Sequence, residues 1–229
     1  MAELDSPTLS HFTLLRYQES YYLTSPSERR TFQEQLWGQL QETAQSVQIY
    51  QVYPSQADVD LLIWSSTVIQ DASDTARFFE CFARASLPFR GMLQAVNTLW
   101  GFTRPSQYTK VRSAQEIDPF AAERKPYLVL YPFVKTTDWY LLSQEARQGM
   151  MNGHIRIGKQ YPEIQQLLLY SFGLQDQEFI VVYETADLAH FSNLVYTLRD
   201  TDARRYTLRD TPLYTALYHP ARETLALWE

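Results

Sequence analysis

The stretch MMNGHIRIGKQYPEIQQ, residues 150–166, sets one of the chain's four histidines, His154, between two glycines, Gly153 and Gly158. An imidazole can ligate a metal, move a proton, or sit in a core with its ring nitrogens satisfied. Met150, His154, Ile157 and Tyr161 recur at spacings of four, three and four, which makes one largely apolar helix face. That face must rest on a sheet, so His154 points inward. Each glycine costs roughly 1 kcal/mol of helix stability relative to alanine, a cost tolerable where something bulky has to come close. The same pattern fits a core histidine held by a hydrogen bond. A second stretch, PYLVLYPFVK, alternates so that Tyr127, Val129, Tyr131, Phe133 and Lys135 share one strand face. A lysine continuing an aromatic face suits the mouth of a cavity for an anion. It equally suits a strand end from which the ammonium reaches water.

Other chemistry is not signalled. Metal-cluster spacings, phosphate loops and dinucleotide loops are missing, and His11, His190 and His219 lie far apart, as surface or core residues do. Hard chemistry here would therefore be carried by a bound cofactor. The net charge of −6, with no basic tract, argues against nucleic acid and anionic membrane surfaces as partners. The single cysteine, Cys81, excludes an internal disulfide, and its apolar run ARFFECFARA predicts a buried thiol. The first residues, MAELDSPTLS, have neither a basic flank nor an apolar stretch, and no apolar run reaches the length of a membrane span. The expectation is a soluble, cytoplasmic protein.

The elements that must position His154 and Tyr131 occur twice. At an ungapped offset of 118 positions, Tyr21 falls on Trp139, Tyr22 on Tyr140, Leu23 on Leu141, Ser25 on Ser143, Arg29 on Arg147 and Asp58 on Asp176. A shared offset across separate elements indicates a tandem structural repeat. Each half reads strand (12–19; 127–135), helix, strand (47–53; 166–172), strand (59–67; 178–184), helix (72–84; 187–199), strand (92–102; 212–218). Ser25 and Ser143 are the expected caps of the first helices, with Pro26 and Glu28 completing a capping box in the first half. This β-α-β-β-α-β order is ferredoxin-like, so the predicted fold class is α+β. Two copies, 1–102 and 127–229 joined by a linker at 103–126, are expected to pack sheet on sheet as a dimeric α+β barrel. The offset also sets His154 on Leu36, Tyr131 on Thr13, and Lys135 on Gln18 or its neighbour. The distinctive polar groups lie in the second half, which points to an asymmetric site there.

YPFVKTTDWYLLSQEARQGMMNGH, YSFGLQDQEFIVVYETADL and LRDTDARRYTLRDTPLY together resemble the chlorite dismutase family, in particular its coproheme decarboxylase branch. The resemblance is specific over 127–218 and weaker over the first half. It implies that His154 is the proximal ligand of haem b or coproheme and that Tyr131 is the tyrosine that becomes a reactive radical. It implies that Lys135 assists propionate binding, that Trp139 and Tyr140 match the family's W-Y, and that Asp202 is the acid tuning the proximal histidine. Chlorite-degrading members carry an arginine on the distal side, a position that falls here on Gln166, or on Leu167 when counted forward from His154. Lys159, Arg112 and Arg124 are the candidate basic partners of propionates.

The function so implied is peroxide-dependent oxidative decarboxylation of coproheme propionates in haem biosynthesis. Tyr131 would pass an electron to the oxidised haem, its radical would take hydrogen from a propionate β-carbon, and loss of carbon dioxide would leave a vinyl group. The alternatives are a non-catalytic haem or porphyrin-binding protein and a chlorite dismutase, the latter disfavoured by the missing arginine. The resemblance also implies a homo-oligomer, with a pentamer favoured.

Overall fold

The computed structural model describes residues 6–108 and 113–229. In the first half β1 (Thr8–Tyr17) is followed by the short α1 (Glu19–Tyr22), α2 (Pro26–Leu40), β2 (Ser46–Gln51), β3 (Leu61–Val68), α3 (Asp74–Ser86) and β4 (Leu93–Phe102). The second half repeats this with β5 (Tyr127–Lys135), α4 (Thr137–Leu141), α5 (Gln144–Gly158), β6 (Gln165–Tyr170), β7 (Phe179–Thr185) and α6 (Leu188–Arg199). It ends in the short β8 (Thr207–Arg209), β9 (Tyr214–Tyr218) and α7 (Ala221–Ala226). The first expected strand runs earlier than 12–19, because residues 19–22 already coil into α1. The caps are as expected. Ser25 Oγ accepts from the Glu28 amide at 3.3 Å while the Ser25 amide donates to Glu28 Oε2 at 2.8 Å. Ser143 Oγ accepts from the Ala146 amide at 3.2 Å.

Within each half the strands pair in the order fourth, first, third, second, as the ferredoxin-like reading requires. The two halves do not form separate sheets facing one another. They join edge to edge in the order β7-β6-β4-β1-β3-β2-β9-β5, and β5 pairs again with β7, closing an eight-stranded barrel with β8 attached to β5. Closure removes exposed edges that two open sheets would leave unpaired. The seams are short: β4 meets β6 at Phe102↔Tyr170, and β2 meets β9 at Tyr50↔Tyr218 and Gln51↔Leu217. At the first seam a Cβ on Gly101 would lie 2.6 Å from Ser171 Oγ and 2.7 Å from the Tyr170 carbonyl oxygen, so only glycine permits the approach.

The barrel is filled from both halves, by Phe12, Leu14, Tyr50 and Trp64 on one side and Leu130, Leu167, Leu169 and Val182 on the other. The segment 103–126 is more than a tether, since Ile117 enters this core. Helices cover the outer face. Cys81 is exposed, against expectation. Phe78, Phe79 and Phe82 carry the inner face of α3, packing around the ring of His11 at centroid distances of 5.2–5.8 Å, and Cys81 falls off that face. No helix of the described residues is long and apolar enough to cross a membrane.

Candidate functional site

The site is built on the outer face of the second half. Tyr131 of β5 pairs with Val181 of β7, and Phe133 with Phe179. On the other side of β7, Gln166, Leu168 and Tyr170 pair with Tyr183, Val181 and Phe179. Strand alternation therefore places Gln166, Leu168, Tyr131 and Phe133 on one face, beneath α5 and α6. Leu167 is 3% exposed inside the barrel, so it has no access to this face. Of these two candidates, Gln166 is on the face beneath the helices and Leu167 is not. Leu168, two residues on, shares its face and was missed in the sequence.

The two halves bed their first helices differently. In the first half α2 buries Gln33, Leu36 and Leu40 against the sheet, with Ile49 beneath them. In the second half α5 buries no residue at all. Leu36, 1% exposed, is replaced by His154, and Leu40, also 1% exposed, by Gly158. Ile49 pairs with Ile63 as Leu168 pairs with Val181, yet Ile49 is 1% exposed and Leu168 is 37% exposed. A Cβ added to Gly149, Gly153 or Gly158 would meet nothing within 4 Å. The second half thus withholds the side chains that fill the first.

His154 projects into this underfilled region. Its Nδ1 is buried without a hydrogen-bond partner. Burial, helped by the nearby Lys135 ammonium, lowers its pKa to about 4, so the imidazole is neutral at ordinary pH and keeps a lone pair. Asp202 does not supply the expected carboxylate. It is exposed at the start of a 3₁₀ turn, 3.8 Å from Arg205, while its neighbour Ala203 is the residue the turn buries. The acid that does turn inward in this segment, Asp210, is held by Arg199 at 2.7 Å and Arg204 at 2.9 Å.

Lys135 stands where the first half has Tyr17, the neighbour of Gln18 that the offset allowed. Its Nζ lies 4.5 Å over the ring of Trp139 and donates to the Ala203 carbonyl at 3.4 Å and Thr207 Oγ1 at 3.5 Å. Burial first, and then Arg204, lower its pKa to about 8, with Glu178 acting the other way. Glu178 also anchors the strand end, accepting from the Lys135 amide at 2.7 Å and from the Tyr140 hydroxyl at 2.5 Å. Trp139 is 3% exposed between Lys135 and Tyr206. Its packing makes it the shelf beneath the ammonium, with no open face for a ligand.

Tyr131 borders a cavity of about 300 Å³ lined by Val129, Leu188, Phe191, Arg199 and Asp210. Burial raises its phenol pKa well above the usual value, and Tyr183 adds to the rise. Gln166 is fixed by backbone pairing to the linker, donating to the Gln115 carbonyl at 2.8 Å and accepting from the Ile117 amide at 3.0 Å. Lys159 is exposed at the end of α5. Arg124 is inside the barrel, 3.5 Å from Glu184 and 4.7 Å over the ring of Trp64, so it is turned away from this face. Arg112 lies outside the described residues. The cations brought to the site are Lys135, Arg199 and Arg204; the last two were legible only as part of the charged run LRDTDARRYTLRD.

Among the described residues no three His, Cys, Asp or Glu side chains come together as a metal cage. A lone imidazole with an unpartnered nitrogen, a vacant bed and nearby cations fits a flat metal chelate that brings its other ligands with it and carries anionic substituents. The family model described as Chlorite dismutase matches residues 24–218. The coproheme decarboxylase of Mycolicibacterium smegmatis is 30% identical over 173 residues, 73% of this chain and 70% of that one. The coproheme decarboxylase of Staphylococcus carnosus is 37% identical over 86 residues, 35% of this chain and 34% of that one. Among solved structures, an arginine-to-lysine variant of the chlorite dismutase from Candidatus Nitrospira defluvii superposes with a TM-score of 0.83 at 22% identity, covering 99% of this chain and 96% of that one.

Proposed function

The chain belongs to the chlorite dismutase family, and from that membership we propose that it is a haem-dependent oxidoreductase acting on coproheme, removing propionate carboxyl groups by peroxide-dependent oxidation. The observation that carries this reading is the exchange of a buried leucine, Leu36, for His154 over a bed that its own helix leaves unfilled. The names of the curated relatives support coproheme as the substrate.

In this reading His154 binds the iron through its neutral imidazole. The bound iron porphyrin supplies the oxidising capacity delivered by peroxide. Lys135, Arg199 and Arg204 hold propionate carboxylates, and Lys135 favours their ionised form. Tyr131 would give up its phenolic hydrogen as an electron and a proton, and would then take a hydrogen atom from the propionate β-carbon. A second electron would leave the substrate as the carbon–carbon bond to the carboxylate breaks, giving carbon dioxide and a vinyl group, and the two electrons, with the phenol's proton and one from solvent, would reduce one hydrogen peroxide to two waters. Gln166 and Leu168 replace on the sheet face the fixed cation that would hold an anionic oxidant such as chlorite.

The test is a titration of the protein, loaded with iron coproporphyrin, by hydrogen peroxide, with products read by mass. Stepwise loss of carboxyl groups supports the proposal. Tight binding with no mass change would leave a porphyrin carrier, and oxygen evolution from chlorite would leave a chlorite dismutase.

A further inference from the structure

The segment that follows the second long helix differs between the halves. In the first half residues 87–92 join α3 to β4, and Arg90 is their one charged residue. In the second half residues 200–213 join α6 to β9, and this longer segment brings Arg204 and Asp210 to the site. Arg199, at the end of α6, donates through Nη1 to Asp210 Oδ2 at 2.7 Å. Arg204, in the turn Asp202–Tyr206, donates through Nη1 to the same oxygen at 2.9 Å. Among the described residues neither guanidinium has a hydrogen-bond partner other than Asp210. Each planar fork carries five N–H donors, so most of them remain for another acceptor. Asp210 is the least exposed of the three side chains, and with Arg199 it lines the cavity that Tyr131 borders.

Arginines bind a carboxylate most tightly when nothing else neutralises them. Here a resident carboxylate already sits on both, and a second one arriving at the remaining donors meets its repulsion. That weakens binding and helps the reaction. A propionate carboxylate that leaves as carbon dioxide loses its negative charge in the step. Cations that grip it stabilise the starting state and not the neutral product, which slows the loss. We infer that Asp210 acts through Arg199 and Arg204 to weaken their hold on the reacting propionate. It keeps the pair at one net positive charge while the carboxylate is present, and it satisfies both guanidiniums once the carboxylate has gone. The inference rests on the reading of coproheme as the substrate.

The variant is Asp210→Asn, which keeps the shape and an acceptor oxygen and removes the charge. Absorption titrations compare iron coproporphyrin with iron protoporphyrin IX, which has vinyl groups in place of the reacting propionates. Asp210→Asn should bind iron coproporphyrin roughly 10- to 100-fold more tightly, and iron protoporphyrin IX with unchanged affinity. In peroxide turnover its KM and kcat should both fall. Asp210→Glu, which restores the charge, should return both towards the wild-type values. Asp210→Ser is the second neutral variant if Asn disturbs folding, which the melting temperature of the porphyrin-free protein reports. A residue that merely braced the arginines gives the opposite result, weaker binding and a raised KM in the neutral variants. That outcome, or an unchanged affinity for iron coproporphyrin, overturns the inference. A wild type that binds iron coproporphyrin and loses no carboxyl groups on peroxide addition overturns the substrate reading instead, while the affinity of Asp210→Asn still decides whether Asp210 opposes the arginines.

Discussion

The Lys135 ammonium sits 4.5 Å over the ring of Trp139, four residues along the chain. In the first half the same two positions are a pair of stacked phenols, Tyr17 on Tyr21 at 4.2 Å. One aromatic partner has been exchanged for a cation while the shelf beneath it was kept. A cation held over an indole face keeps a favourable electrostatic contact even when water is thin around it.

That setting gives Lys135 a titration within reach. Its pKa is lowered to about 8, so it is charged below that pH and neutral above it. Affinity for an anionic porphyrin should therefore fall as pH rises through about 8. In Lys135→Met the affinity should be weaker at pH 7 and flat across the same range. Porphyrin binding titrations from pH 6.5 to 9.5 check both outcomes. For folding the sign is the reverse: the lowered pKa makes the unfolded chain bind more protons between about 8 and its ordinary value. Stability from this group then rises with pH over that window.

His154→Leu restores the side chain found at Leu36. It removes a buried nitrogen that has no partner, so the porphyrin-free protein should gain about 1–3 kcal/mol, read as a higher melting temperature. The same variant should lose the absorption signature of an imidazole-ligated haem. Its stability should also become less sensitive to acid. The native imidazole, with a pKa lowered to about 4, makes the unfolded state take up more protons as pH falls from 6.5 to 4.

Gly158→Leu mimics Leu40 and fills the space beneath α5. The gain from helix propensity alone is roughly 0.8–1 kcal/mol, with further gain from burial. Porphyrin binding should weaken by more than tenfold. A spectral titration that shows wild-type affinity in this variant would mean that the bed under α5 is not where the ligand lies.

Tyr131→Phe should bind iron coproporphyrin with unchanged affinity and spectrum while forming no decarboxylated product, as followed by mass after peroxide addition. Product formation at the wild-type rate would remove Tyr131 from the reaction.

Much of this was legible because the chain repeats itself. The offset that puts Leu36 on His154 marks the departure from core packing without any coordinates, and the caps at Ser25 and Ser143 are local events. The barrel itself was expected, but the way the halves close it edge to edge was not legible, since its seams join strands far apart in sequence through one or two register pairs. The distal residue was ambiguous for a related reason. The offset is 118 for β3 and β7 but 119 for β2 and β6, where Ile49 matches Leu168, and a slip of one residue turns a side chain to the other face. That slip separates Gln166 from Leu167. Asp202 failed as the partner of His154 because a 3₁₀ turn aims neighbouring residues in different directions, which spacing alone does not reveal.

The Gln115 side-chain amide donates toward three carbonyls, those of Gly158, Tyr161 and Ile164, at 3.3, 2.9 and 3.0 Å. It ties the end of α5, the turn after it and the approach to β6 to one point on the linker. That end of α5 is therefore held by the linker as well as by its own turn. At 1.5 Å per residue His154 lies about 6 Å from this anchor, so a single linker amide helps to set the height of the imidazole above the sheet.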